Sequence, residues 1–198
     1  MVGEARLFRS IGLTPNQVSL LGVLSAFFSA YLYWSSQFEP SLLILAALFL
    51  LISGFFDALD GVLARLYGEV TLFGGFLDSL FDRYADAFVF VGIALGWLTT
   101  DSPLWLFCGL AALMGSLLVS YSRARAEAAG VKMETVGVAE RAERIIILVV
   151  ASFLSLLWLD ALRWSVLLLA VLTNLTVLQR VIHFRKESKK KETGTPII

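Results

Sequence analysis

Six apolar stretches, at approximately 17–34, 41–63, 76–99, 103–122, 145–159 and 161–182, decide what this chain can fold into. A helix crossing a bilayer needs about 20 apolar residues to cover roughly 30 Å of hydrocarbon, and each stretch comes near that length. Hydrophobic residues make up 58% of the 198 positions and charged residues 16%, more apolar surface than a soluble domain of this size can bury. The stretches lack the alternation of a barrel strand. In lipid the backbone must satisfy its own hydrogen bonds, which leaves helices. The sequence therefore predicts an all-α integral membrane protein: a six-transmembrane-helix bundle forming one catalytic domain over 1–185, with a polar basic tail over 186–198.

Pro40 and Pro103 fall at the starts of the second and fourth spans, where a missing amide hydrogen costs little. Glu4, Arg6 and Arg9 precede the first apolar run, which is expected to be a span and not a cleavable signal. The lone Cys108 lies in an apolar run and reads as packing. No internal repeat is evident.

Net charge is zero, but its distribution is lopsided. Six spans put both termini and the second and fourth connections on one side. That side receives Arg6, Arg9, Arg65, Arg123, Arg125, Lys132, Arg141, Arg144, Arg180, Arg185, Lys186 and the lysines at 189–191. The opposite side has only Arg163. By the positive-inside rule the basic side is cytoplasmic, in a multi-pass protein of the cell membrane.

Against this apolar background stand four aspartates. Asp57 and Asp60 are three residues apart at the end of the second span, and Asp78 and Asp82 four apart at the start of the third. Each pair shares a helix face. A short connection is expected to make the two helices antiparallel neighbours, so that the acidic faces meet near the cytoplasmic boundary. Each carboxylate costs about 2.5–3.5 kcal/mol at mid-span on insertion scales, and less near an interface. Something cationic must offset four of them. Hard divalent ions do so, and Mg²⁺ is commonly shared between carboxylates and substrate phosphates. Gly61, Ala64 and Gly74 keep the same faces clear for a phosphate, and Arg65 supplies a positive partner. Asp86 and Arg83 stand outside this core, Asp86 as an outer ligand or an ion-pair partner.

The pattern Asp57-x2-Asp60-Gly61-x2-Ala64-Arg65-x8-Gly74-x3-Asp78-x3-Asp82 resembles, without a departure, the signature of the CDP-alcohol phosphatidyltransferases. The resemblance extends from Gly12 to about Arg185. It implies a six-helix membrane fold, usually dimeric, that displaces CMP from a CDP-linked alcohol with a second alcohol. Carried over by position, Asp57, Asp60 and Asp78 are metal ligands, and Asp82 is the general base and a further ligand. The implied cofactor is Mg²⁺ or Mn²⁺, as two ions.

Gly12-Leu13-Thr14-Pro15-Asn16-Gln17-Val18-Ser19 opens the first span and by itself reads as a capped helix start. It also resembles the family's cytidine-diphosphate-binding stretch. Asn16, Gln17, Val18, Ser19, Gly61, Ala64, Arg65, Thr71 and Gly74 are thereby the expected CDP-lipid contacts.

The fourth connection is strongly basic, which either obeys the positive-inside bias and attracts anionic headgroups or builds an anion pocket for a phosphorylated acceptor. Ser120-Tyr121-x-Arg123-Ala124-Arg125-Ala126-Glu127 and Glu140-Arg141-x-Glu143-Arg144, with Gln179-Arg180, resemble the branch of phosphatidylinositol-phosphate and archaetidylinositol-phosphate synthases. Where bacterial members of that branch carry proline, this chain has Ala142. The implied acceptor is inositol 1-phosphate, with Lys132, Arg141 and Arg180 leading its phosphate contacts and Arg123, Arg125 and Arg144 following. Expected partners are a CDP-lipid, that acceptor, membrane lipids and a second copy in a homodimer, with no nucleic acid. Open alternatives are glycerol 3-phosphate or another alcohol as acceptor, a soluble CDP-inositol donor, or, in a different class, a cation transporter using the acidic cluster.

Overall fold

The structure is a computed structural model describing residues 1–98, 103–133 and 136–192. Among the described residues there are seven helices and no strand: α1 (Val2–Ser10), α2 (Pro15–Ser35), α3 (Leu42–Leu66), α4 (Leu72–Gly96), α5 (Pro103–Ala128), α6 (Arg141–Leu154) and α7 (Ala161–Glu192). Their starts follow from local chemistry. Thr14 and Gln17 form a capping box at α2 with Pro15 at its first turn. Thr71 caps α4, accepting the Gly74 amide at 2.9 Å.

Four helices, α2, α3, α5 and α7, are long and apolar enough to cross a membrane. The other two expected spans differ from that standard for separate reasons. Helix α4 has 25 residues, but Asp78, Asp82, Arg83 and Asp86 interrupt its first fifteen. Helix α6 has only 14 residues, about 21 Å of rise, and ends at Leu154 instead of running on to 159. Helix α1 lies outside the expected spans altogether. It buries Ala5 at 0% exposure and packs Phe8 against Phe56 of α3 in a small cluster with Val18, Leu59 and Leu63. A nine-residue helix is marginal alone, so this contact is what holds it.

The main core is gathered from Ala26, Tyr33, Leu50, Val89, Phe90, Ile93, Leu148, Val166 and Leu169 on α2, α3, α4, α6 and α7. Outward faces carry exposed large apolar side chains such as Phe28, Leu48, Phe107 and Val171, as lipid demands. Buried polar groups join helices. Ser29 Oγ donates to Ala46 O at 2.7 Å, Tyr33 Oη and Ser152 Oγ pair at 2.8 Å, and Asn174 Nδ2 donates to Ala111 O at 3.2 Å. A methyl added at Gly92 would overlap the Ala30 carbonyl, so glycine there sets the close approach of α4 to α2.

One packing relation departs from expectation. Helices α3 and α4 make few direct contacts, and α2 packs against both. The backbones of α3 and α4 are thus spaced by α2, and their acidic side chains meet across that spacing. At that end of the bundle lie α1, the 67–71 connection and residues 129–133 and 136–140, with the C-terminal half of α7 alongside. Lys191 Nζ reaches Gly130 O at 2.6 Å.

Candidate metal and nucleotide site

Asp57, Asp78 and Asp82 each present a carboxylate oxygen, all within 4.8 Å of one another. The helical spacing does this: Asp57 ends the apolar part of α3, and Asp78 and Asp82 sit one turn apart on α4. Asp60 stands beside them. It is buried, accepts the Ser19 hydroxyl from α2, and borders the same small recess as the other three. An all-oxygen donor set at this spacing fits a hard divalent ion such as Mg²⁺ or Mn²⁺. The demand for positive charge is visible in what already touches it. Arg141 Nη1, at the first turn of α6, lies 2.5 Å from both Asp57 Oδ1 and Asp82 Oδ1.

A pocket of about 280 Å³ opens beside the recess, lined in part by Asp60 and Asp78. Of the expected CDP-lipid contacts, Asn16, Ser19, Gly61, Ala64, Arg65, Thr71 and Gly74 line it. A methyl on Gly61 would stand 3.3 Å from the Arg65 guanidinium, and one on Gly74 would stand 3.0 Å from Thr71 Oγ1. Both glycines leave room for polar groups already in place. Gln17 and Val18 point elsewhere. The Gln17 side chain accepts from the Thr14 amide at 2.9 Å, and Val18 is fully buried between α1 and α3. They shape the start of α2 without lining the pocket.

Glu69 also lines the pocket, and sequence reasoning did not single it out. Arg9 of α1 grips it, with Nη2 2.5 Å from Oε1 and Nη1 3.3 Å from Oε2, and stacks over Tyr67. Residues 60 apart leave no local signal of such a pair.

The basic residues separate by partner. Arg141 meets two of the metal-site carboxylates at close range, and Arg83 stands 4.0 Å from Asp82 Oδ2. Arg144, 3% exposed, gives Nη2 to Asp86 Oδ2 at 2.5 Å and Nη1 to Ala139 O at 2.9 Å. Arg180, 2% exposed, donates to the carbonyls of Val136 and Val119 and stands 3.7 Å from Glu140. Arg123 pairs with Glu127 one turn on, and Lys132 is exposed. Arg125 borders an apolar groove between α5 and α7. None of Arg123, Arg125, Lys132 or Arg180 has a described contact with the four aspartates. Arg180, on α7, instead ties Val136 and Glu140 to α5.

Comparison with known proteins agrees with this geometry. An archaetidylinositol phosphate synthase of Pyrococcus horikoshii is 44% identical over 178 residues, covering 89% of this chain and 86% of the relative. A phosphatidylinositol phosphate synthase of Mycobacterium tuberculosis is 36% identical over 184 residues, covering 89% and 82%. Crystal structures of the Mycobacterium tuberculosis phosphatidylinositol phosphate synthase superpose at 32% identity. The one with CDP-DAG bound gives a TM-score of 0.81 over 92% of each chain. The complex with manganese and citrate gives 0.83 over 92% and 87%. The profile of the CDP-alcohol phosphatidyltransferases matches residues 12–178, every motif position included, and the chain belongs to that family.

Proposed function

We propose that this protein is a phospholipid-synthesis enzyme that transfers the phosphatidyl or archaetidyl group of a CDP-lipid to a hydroxyl of inositol 1-phosphate, releasing CMP. The observation that carries this is the adjacency of three parts: a pocket lined by Arg65 and Asn16, a carboxylate cluster at its edge, and Arg141 across that cluster. The names of the relatives supply the acceptor.

Asp57, Asp60, Asp78 and Asp82 would hold two divalent ions, Mg²⁺ or Mn²⁺. Bound there, the ions neutralise charge building on the diphosphate and orient it. The rest falls to the chain's own groups. Arg65, above Gly61, faces the pocket and meets phosphate oxygens. Arg141 receives the acceptor's phosphate, with Lys132, Arg180, Arg123, Arg125 and Arg144 contributing positive charge around it. Asp82 takes the proton of the attacking hydroxyl. The new oxygen–phosphorus bond forms on the lipid-side phosphorus as the bond to CMP breaks, and CMP leaves as the anion. The step is direct displacement with no covalent intermediate: Cys108 and His183 lie outside the motif, and the Ser19 hydroxyl is engaged by Asp60.

The same reading includes six membrane crossings with α4 and α6 as the polar and the short one, the site and both termini cytoplasmic, and a homodimer. The basic residues gathered at the site end support the orientation. The dimer rests on the family resemblance.

The test is CMP release by purified enzyme with CDP-diacylglycerol or CDP-archaeol and Mg²⁺ or Mn²⁺. Inositol 1-phosphate is expected to drive it, with free inositol, serine and glycerol 3-phosphate inert. Release with glycerol 3-phosphate alone would overturn the acceptor, and metal flux in proteoliposomes without CMP release would overturn the enzyme.

A further inference from the structure

Asp86 lies one turn beyond Asp82 on α4 and belongs to no position of the family motif. It is buried where α4, α5 and α6 meet. The Ser116 hydroxyl of α5 donates to its Oδ2 at 2.9 Å, Arg144 Nη2 stands 2.5 Å from the same oxygen, and Arg141 Nε is 3.8 Å from Oδ1. Asp82 and Asp86 share one face of α4, as Arg141 and Arg144 share one face of α6. The result is a two-rung ladder. The inner rung, Arg144 to Asp86, is dry and anchored at both ends, by Ser116 and by the Ala139 carbonyl. The outer rung, Arg141 to Asp82, opens on the metal site.

Buried ion pairs contribute little net stability, because desolvation cancels most of the attraction. What this pair provides is placement. It fixes the first turn of α6, whose preceding residues are also tied to α7 by Arg180 on the Val136 carbonyl and by the Val138 amide on Thr176 Oγ1. It also leaves Asp86 Oδ1 turned toward Arg141. A cation arriving at Asp57 and Asp82 competes for the oxygens that Arg141 touches, and Asp86 is then the carboxylate that remains to Arg141.

We propose that Asp86 is a positioning residue for acceptor recognition, setting through Arg144 and directly where the Arg141 guanidinium stands. This rests on the assignment of Arg141 to the acceptor's phosphate. The bland rival is that Asp86 merely balances the buried charge of Arg144.

The experiment compares wild type, Asp86→Asn, Asp86→Glu and the double variant Asp86→Asn/Arg144→Gln in the CMP-release assay. KM is measured for acceptor and for CDP-lipid, and Mn²⁺ affinity by electron paramagnetic resonance. Asp86→Asn should raise the acceptor KM by about tenfold or more, the scale of one charge-assisted contact, while the CDP-lipid KM at saturating Mn²⁺ stays within about twofold. Mn²⁺ affinity should fall, since the displaced Arg141 loses its remaining carboxylate. Asp86→Glu, charged but displaced, should fall between. The double variant leaves no buried arginine unpaired and should keep the acceptor defect. Recovery of the wild-type acceptor KM in the double variant would overturn the proposal, as would both KM values moving together. Should wild type use another phosphorylated alcohol and not inositol 1-phosphate, the acceptor reading fails. The same split is then measured with that alcohol.

Discussion

Replacing Arg141 by glutamine should move two affinities in opposite directions. Its Nη1 touches Asp57 and Asp82 at 2.5 Å each, the oxygens a divalent ion would take. Unit charges about 4 Å apart attract by about 4 kcal/mol at an effective dielectric near 20. Desolvation of a guanidinium that is only 17% exposed offsets much of that. The net worth of such charge-assisted contacts is about 1.5–3 kcal/mol. An ion that must displace them binds more weakly by that amount, so Arg141→Gln should tighten Mn²⁺ binding by about 10- to 150-fold. The acceptor loses its guanidinium, and its KM should rise over a similar range. The assay is Mn²⁺ titration of detergent-purified protein by electron paramagnetic resonance, paired with acceptor KM from CMP release. General damage would weaken both. Mn²⁺ affinity unchanged or lowered in a folded variant would refute the idea that guanidinium and metal share these oxygens.

Three further outcomes follow from other contacts. Asp82→Asn should cut turnover by about 10²-fold or more while CDP-lipid still binds, measured by turnover alongside CDP-lipid binding, because it removes the proposed base and leaves the pocket walls. Arg9→Gln should free Glu69 and raise the CDP-lipid KM about two- to fivefold, the scale of one partly exposed ion pair, with the acceptor KM unchanged. Gly92→Ala should push α4 from the Ala30 carbonyl and cost about 1–3 kcal/mol, read as a lower melting temperature in detergent.

The aspartates were legible in the sequence because both their cost in an apolar run and their helical spacing are local properties. So was the capped start of the first span at Thr14, whereas the cap that Thr71 supplies to α4 was not. The neighbours of each helix were not. A short connection suggested that α3 and α4 face each other, yet the small residues of α2, such as Gly22, Ala26 and Ala30, let it pack on both. Helix α1 escaped notice because nine mixed residues show no spanning run, and it takes Val18 of α2 with Phe56, Leu59 and Leu63 of α3 to give Ala5 and Phe8 a place to bury. The basic residues looked alike because positive-inside bias puts them all at one end. Partners far along the chain tell them apart: Arg180 takes backbone carbonyls, Arg144 takes Asp86 and Arg141 takes the cluster.

The scarcity of direct contact between α3 and α4 has a bearing on turnover. A cleft whose two walls adhere to each other must be pried open whenever a ligand enters, and that work recurs with every cycle. Here each wall adheres to α2 instead. The backbone separation is settled once, when the bundle assembles, and what a ligand entering between the acidic faces has to displace is the Arg141 guanidinium and not a packed α3–α4 interface.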